Sequence, residues 1–185
     1  MVDMQSLHLI EFLPEDHELL EKATRLRADV WNMHVERGIF SENVWTDSHD
    51  SHAFQWGIID QGCRMIAAAR LCLHDSILEF PDYFPGNGLN LGFAAPIGMM
   101  SRLVVHPEYQ RQGLASRLDL ARIRKAESSG CRSIAIEVPS YRVRSLEKQG
   151  FEYVGRTVDT TNIRQVNMQF YLYRKEIISS GDRHE

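Results

Sequence analysis

The junction His106-Pro107-Glu108-Tyr109-Gln110-Arg111-Gln112-Gly113-Leu114-Ala115-Ser116 constrains this chain more than any other stretch. Ahead of it runs an apolar, strand-like segment, RLVV (residues 102–105), and behind it a helix-like segment, RLDLARIRKAE (117–127). Pro107 stops the strand. Gly113 falls where the helix begins, although glycine weakens a helix by roughly 1 kcal/mol relative to alanine. A helix start leaves backbone N–H groups without partners and carries partial positive charge. Glycine lets a ligand approach and lets successive N–H groups converge, and Arg111 adds donors at the rim. Two readings stay open on this chemistry: a phosphate or pyrophosphate site, and a turn that uses glycine for steric relief.

The rest of the chain alternates strands and helices. SLHLIEFL (6–13) reads as a first strand, and Pro14 with Glu15, Asp16 and Glu18 marks a helix start. Leu19, Ala23, Leu26 and Val30 recur at helical spacing, with Leu20, Arg27 and Trp31 alongside, to an end near Gly38. AFQWGIID (53–60) and RMIAAARLCLHD (64–75) read as strands joined by a short turn at Gln61-Gly62. Residues 81–98 form a long loop whose aromatic and apolar content (Tyr83, Phe84, Leu89, Leu91, Phe93) favours an ordered lid or pocket wall. Beyond the junction, a helix with Leu114, Leu118 and Ala121 on one face closes at Gly130. CRSIAIEV (131–138) is a strand with Ile134, Ile136 and Val138 on one side. YRVRSLEKQG (141–150) is a short helix, and FEYVGRTV (151–158) with QVNMQFYLYRK (165–175) a hairpin. The expectation is an α/β fold whose mixed, mostly antiparallel sheet is flanked by helices, one domain over 1–178 with a frayed tail over 179–185.

At 185 residues the chain can build a core without staples, and its net charge of −4 gives no reason to expect nucleic acid or an anionic membrane as a partner. Cys63, Cys72 and Cys131 form no CxxC pair and read as small core residues in a reducing compartment. The N-terminal stretch is acidic where a secretory signal needs a basic start, and no segment approaches the roughly 20 apolar residues of a membrane helix, so the expected location is cytoplasmic. DSHDSH (47–52) lacks metal-ligand spacing, so a solvated loop without a metal is expected. Trp31, Trp45, Phe54 and Trp56 read as core.

Gln110-x-x-Gly113-x-Ala115 matches the Q/R-x-x-G-x-G/A signature of the GNAT superfamily of N-acetyltransferases, in the same strand, turn and helix context. Downstream, IAIEV followed by SLEKQGFEYVG resembles the next strand and the YEKLGF segment of that superfamily. The resemblance implies a GNAT-like fold and acetyl-CoA or another acyl-CoA as co-substrate. It places the pyrophosphate at Gln110, Arg111, Gln112, Gly113, Leu114, Ala115 and Ser116. It has the backbone of Leu103, Val104 and Val105 pair with the pantetheine as an added strand would, with one N–H there facing the oxyanion of the transfer step. Direct transfer also needs a group to take the amine proton and an acid for the thiolate. The family's tyrosine position is Leu146 here, which leaves Tyr141 as the candidate acid and Glu137, beside the cofactor groove, as the candidate base.

The first half is similar to a second pattern, that of acyl-homoserine lactone synthases and related N-acyl amino acid synthases, at Arg27, Trp31, Trp45, Asp47, Asp50, Arg70, Ser101 and Arg102. That resemblance implies Arg27, Trp31, Arg70 and Arg102 as acceptor-binding residues and an acyl carrier protein as a possible donor. Met99 stands where those enzymes carry a glutamate. Arg70 and Arg102 each interrupt an apolar strand, so each must face a cavity or a partner, and a buried ion pair with Asp47 and Asp50 is the other reading. The expected function is acyl-CoA-dependent N-acyl transfer, chiefly acetyl transfer, to a small amine or amino acid. The alternatives are a carrier-protein-fed N-acyl amino acid or homoserine lactone synthase, and a catalytically silent acyl-CoA-binding module.

Overall fold

The computed structural model describes residues 6–33, 43–80, 91–157 and 169–177. Its elements run β1 (His8–Phe12), α1 (His17–Asn32), β2 (Phe54–Ile59), β3 (Met65–His74), β4 (Ile97–Val105), α2 (Leu114–Ser128), β5 (Ser133–Pro139), α3 (Val143–Glu147), β6 (Glu152–Arg156) and β7 (Phe170–Glu176). The strands are hydrogen-bonded in the order β1-β2-β3-β4-β5-β7-β6. The β1–β2, β2–β3, β5–β7 and β6–β7 pairs are antiparallel, and β4–β5 is parallel. The expected mixed, mostly antiparallel sheet is present.

The chain gathers into two compact units. One holds Met1–Cys72 and Ser101–Arg122, the other Leu73–Met100 and Ile123–Glu185. In the first, Asp16 caps α1 by accepting from the Leu19 N–H at 3.2 Å. Glu18–Lys22 and Glu21–Arg25 pairs at i,i+4 support its solvent face. Its apolar stripe of Ala23, Leu26 and Val30 packs in one cluster with Phe12, Met65, Ala68 and Val104. The β2–β3 turn is wider than the two residues expected. The Asp60 carboxylate accepts from the N–H groups of Gly62 and Arg64, and Cys63, not Gly62, takes the left-handed position with φ 59°. Cys63 is therefore exposed, against the expectation that all three cysteines are core, while Cys72 and Cys131 are buried as expected.

In the second unit, β5 is buried along nearly its whole length, and β7 covers one of its edges. The parallel ladder with β4 runs from Ile97↔Ser133 to Met100↔Ile136 and stops there. Ser133 Oγ donates to the Ala94 carbonyl at 2.7 Å, fixing the approach to β4. Strand β4 starts at Ile97, so the end of the expected long loop is strand instead. Leu146 is fully buried, and the N–H groups of Gln149 and Phe151 both donate to its carbonyl as α3 ends. The expected helix end at Gly38, most of the lid (81–90) and the C-terminal tail lie outside the described residues. Among the described residues, no helix is long and apolar enough to cross a membrane.

Candidate active site

Strand β4 leads into the loop through the turn at Pro107–Tyr109. The Gln110 side chain donates back to the Val105 carbonyl at 3.2 Å and the Gln112 side chain to the Glu108 carbonyl at 3.4 Å, so both glutamines brace the loop. Arg111 has φ 62° and Gly113 φ 77°, two left-handed residues one apart, the backbone pattern that turns successive N–H groups to one side. A Cβ added at Gly113 would meet nothing within 4 Å, so its φ, and not crowding, requires glycine here. Steric relief in a tight turn, one of the two readings open from sequence, has no crowded neighbour to relieve.

The first helical bond of α2 comes from the Arg117 N–H to the Gly113 carbonyl at 3.1 Å. Among the described residues, nothing accepts a hydrogen bond from the backbone N–H groups of 111–116. Helix starts commonly place an acid in the first turn, and α2 has none. Unmatched donors, the positive end of a helix and no resident carboxylate together fit an anion such as a pyrophosphate. Arg111 and Gly113 are exposed, Gln112, Ala115 and Ser116 half-buried, and Leu114 is buried as the anchor of the helix.

A second assembly joins residues the sequence scatters over 27–102. Arg27 is fully buried, with Nη1 donating to Asp50 Oδ1 at 2.8 Å and Nη2 to Gln55 Oε1 at 2.7 Å. Arg70 forms a fork on Asp47, at 2.6 and 3.1 Å, approaches Asp50 Oδ1 at 3.0 Å, and donates from Nε to Ser101 Oγ at 3.1 Å. Arg102 donates from Nε to Asp47 Oδ2 at 3.1 Å and from Nη2 to the same oxygen, and its guanidinium lies 3.9 Å from the Trp45 ring centroid. Trp31 packs edge-on to Trp45. The solvated loop expected at 47–52 is in fact a capped turn: Asp47 caps Ser48–Ser51, and Asp50 is buried at 4% exposure.

The electrostatics follow from burial and pairing. Burial raises the Asp47 carboxyl, but the hydrogen bonds and charges of Arg70 and Arg102 outweigh it and hold the group well below the usual carboxylate range. Burial likewise raises Asp50, and Arg27 and Arg70 bring it below its ordinary value. Burial pulls the Arg27 guanidinium down to about 10, with Asp50 opposing. Three guanidiniums, Arg27, Arg70 and Arg102, face two carboxylates, Asp47 and Asp50, which leaves one positive charge in excess. Arg27 and Arg70 are sealed from solvent, whereas Arg102 keeps 19% of its side chain exposed and no described residue accepts from its Nη1.

The structure also assembles residues that the sequence reading passed over. Asp119 and Arg122 on α2 have no exposed surface, and Arg122 Nη2 donates to Asp119 Oδ1 at 2.5 Å. Arg122 Nη1 donates to the carbonyls of Arg70 and Ser101, each at 3.2 Å. The signal for Arg122 lay in the spacing: Leu114, Leu118, Arg122 and Ala126 recur every four residues, and all are buried. Ala121, expected on that face, is only half-buried.

In the second unit, Glu137 is half-buried on β5 opposite Leu172 of β7. Tyr141 lies in the turn Ser140–Arg142 ahead of α3 and is 74% exposed. Tyr173 Oη donates to Glu147 Oε1 at 3.3 Å, and burial together with that carboxylate raises its phenol above the ordinary value. Met99 is buried in β4, so an apolar side chain fills the position where the lactone synthases carry a carboxylate.

Residues 94–172 match the family model of the acetyltransferase (GNAT) domain. An acetyltransferase of the GNAT family from Streptococcus pneumoniae superposes with a TM-score of 0.58 at 18% identity, covering 93% of this chain and 99% of that one. An acyl-CoA N-acyltransferase from Pseudomonas aeruginosa superposes with a TM-score of 0.62 at 16% identity, over 92% and 99%. The AHL synthase LasI gives 0.65 at 16% identity, over 92% and 89%. No curated protein sequence matches the chain at a significant level. Both resemblances seen in the sequence thus reappear, one in the family model and both in the fold.

Proposed function

From a chain with the GNAT fold and a GNAT acetyltransferase domain, we propose an acyl-CoA-dependent N-acyltransferase, most of all an N-acetyltransferase, that acts on a small amine or amino acid by direct transfer. The observation that carries this reading is the loop. Arg111 and Gly113 are both left-handed, and the N–H groups of 111–116 point to no acceptor among the described residues at the start of a helix without a first-turn acid. A pyrophosphate supplies the charge and acceptors that this backbone lacks. Bound there, acyl-CoA supplies an activated acyl group.

The chain's own residues divide the remaining tasks. Gln110 and Gln112 hold the loop in shape through the Val105 and Glu108 carbonyls. The ladder to β5 stops at Met100, so the backbone of Leu103, Val104 and Val105 is the segment proposed to hydrogen-bond the pantetheine. Arg102, for whose Nη1 no acceptor lies among the described residues, is proposed to orient an acceptor carboxylate. Arg27 and Arg70 support it from below through Asp50 and Asp47, and Trp31 backs the Trp45 ring. Glu137 is proposed to accept the amine proton and Tyr141 to supply one to the departing thiolate, since buried Leu146 cannot.

A second reading, a carrier-protein-fed N-acyl amino acid synthase, is favoured by one feature: Arg27, Asp47, Asp50, Arg70, Ser101 and Arg102, positions at which the sequence is similar to such enzymes, form a single connected network. The experiment is a thiol-release assay with acetyl-, octanoyl- and palmitoyl-CoA, and with the same acyl groups on acyl carrier protein, against amines with and without a carboxylate, run beside calorimetry with CoA. Release with acetyl-CoA and an amino acid supports the first reading. Release only from acyl carrier protein moves the assignment to the second. CoA binding without turnover marks a silent module, and absence of CoA binding overturns the loop assignment.

A further inference from the structure

Four side chains converge on one left-handed residue of β4. Arg102 sits mid-strand with a left-handed backbone, φ 55°. That conformation costs a non-glycine residue about 1–2 kcal/mol and persists only where the surroundings over-determine it. Asp47 takes the Arg102 guanidinium, Trp45 lies against its face, and Arg70 Nε holds Ser101 Oγ. The fourth hold comes from helix α2, where Arg122 Nη1 donates to the carbonyls of Ser101 and Arg70. Those carbonyls belong to β4 and β3, and a buried carbonyl needs a donor, so one guanidinium here serves two strands. Asp119 neutralises that guanidinium, and both side chains are fully buried.

Helix α2 therefore carries two things on one rigid rod. Its start bears the unmatched N–H groups of 111–116, and two turns on, about 12 Å away along the axis, it grips β4 immediately ahead of residues 103–105. We propose that the buried Asp119–Arg122 pair is a positioning element for the donor substrate: it fixes the offset between the loop that holds the pyrophosphate and the strand segment that holds the pantetheine, so that one acyl-CoA meets both at once. This inference rests on the acyl-CoA reading above. Neither residue touches the substrate. Their effect is on how well two part-sites cooperate, because a linked ligand gains from the second contact only when the geometry lets both engage.

The test compares two probes: CoA, and adenosine 3′-phosphate 5′-diphosphate, which is the pyrophosphate-bearing end alone. Each is titrated by calorimetry into the wild-type protein and into Asp119→Leu/Arg122→Met, which removes both charges and leaves neither unpaired. The expected result is a CoA Kd raised about 10- to 100-fold with the nucleotide probe changed by less than about threefold. KM for acyl-CoA rises with it, and KM for the amine stays put. An unchanged CoA affinity, or an equal loss for both probes, overturns the proposal. Should circular dichroism find the double variant unfolded, Arg122→Lys decides on the same criteria, since one ammonium keeps the charge facing Asp119 but cannot serve both carbonyls. A wild-type protein that binds neither probe overturns the donor reading and this proposal with it, and differs visibly from a variant whose loss is shared by both probes.

Discussion

Asp47 and Arg102 stand 55 residues apart in sequence, yet the arginine Nε donates to the aspartate Oδ2 at 3.1 Å while Arg70 occupies both oxygens of the same carboxylate. One carboxylate thus ties a capped turn to two neighbouring strands. Asp47→Ala leaves two guanidiniums without their shared counter-charge, one of them buried. The expected loss of stability is about 3–5 kcal/mol, the range for removing one partner of a buried pair, measured by urea denaturation. A loss below about 1 kcal/mol would mean that the network behaves as a surface pair.

The same carboxylates set an acid dependence. Asp47 and Asp50 are held below their ordinary values in the folded state, so each contributes stability that is present above the unfolded value, about 3.9, and is lost as pH falls through the folded value. Stability from these groups should be flat from pH 7 to about 5 and decline steeply below about pH 4. Urea midpoints across that range provide the check, with Asp50→Asn flattening the acid limb. An acid limb of unchanged slope in that variant would place the protons elsewhere.

Gly113 and Gly130 share φ 77°, and a Cβ at either meets nothing within 4 Å. Replacing either with alanine should therefore cost about the same, roughly 1–2 kcal/mol of backbone strain. Only Gly113→Ala should weaken CoA binding, because only Gly113 lies in the loop. Calorimetry on both variants separates the two effects, and equal CoA affinities would count against the loop as the pyrophosphate site.

Arg102 and Arg70 should fail differently. Arg102→Ala is expected to raise KM for a carboxylate-bearing acceptor about 10- to 100-fold, the loss of one charge-assisted pair, with little change for the same amine lacking the carboxylate. Arg70→Ala, which takes one of two guanidiniums from each of Asp47 and Asp50, should instead lower the melting temperature. A loss shared by both acceptors in Arg102→Ala would assign that arginine to structure.

Tyr141→Phe and Glu137→Gln probe the proton transfers. Each should lower kcat by about 100-fold or more if its group moves a proton, with the corresponding limb of the pH–rate profile removed. A profile that keeps both limbs sinks the assignment.

The elements of this fold were legible because their signals are local. Strand and helix periods, the acids after Pro14 that mark a helix start, Gly130 as a stop and the strand–turn–helix junction each occupy a few consecutive residues. The loop was legible for the same reason, since Gln110, Gly113 and Ala115 sit within six positions. The β2–β3 turn was misplaced because an Asp side chain, not a glycine, organises it, and Cys63 took the strained position. The turn at 47–52 was taken for a solvated loop because its polar residues point inward, to arginines more than 20 positions away. The burial of Asp119 and Arg122 depends on what packs against α2, which no run of consecutive residues encodes.

The sequence by itself determined which segments are strands and helices, their order and mixed sheet, and the glycine-bearing strand–turn–helix junction, because periodicity, caps and glycine φ are near-neighbour properties. Only the tertiary structure decided which charges are buried, that three arginines share two aspartates, and that Arg122 grips β4 beside the left-handed Arg102. Those outcomes depend on what lies across the sheet, and a buried charge is tolerable only beside a partner that the chain supplies from far along its length.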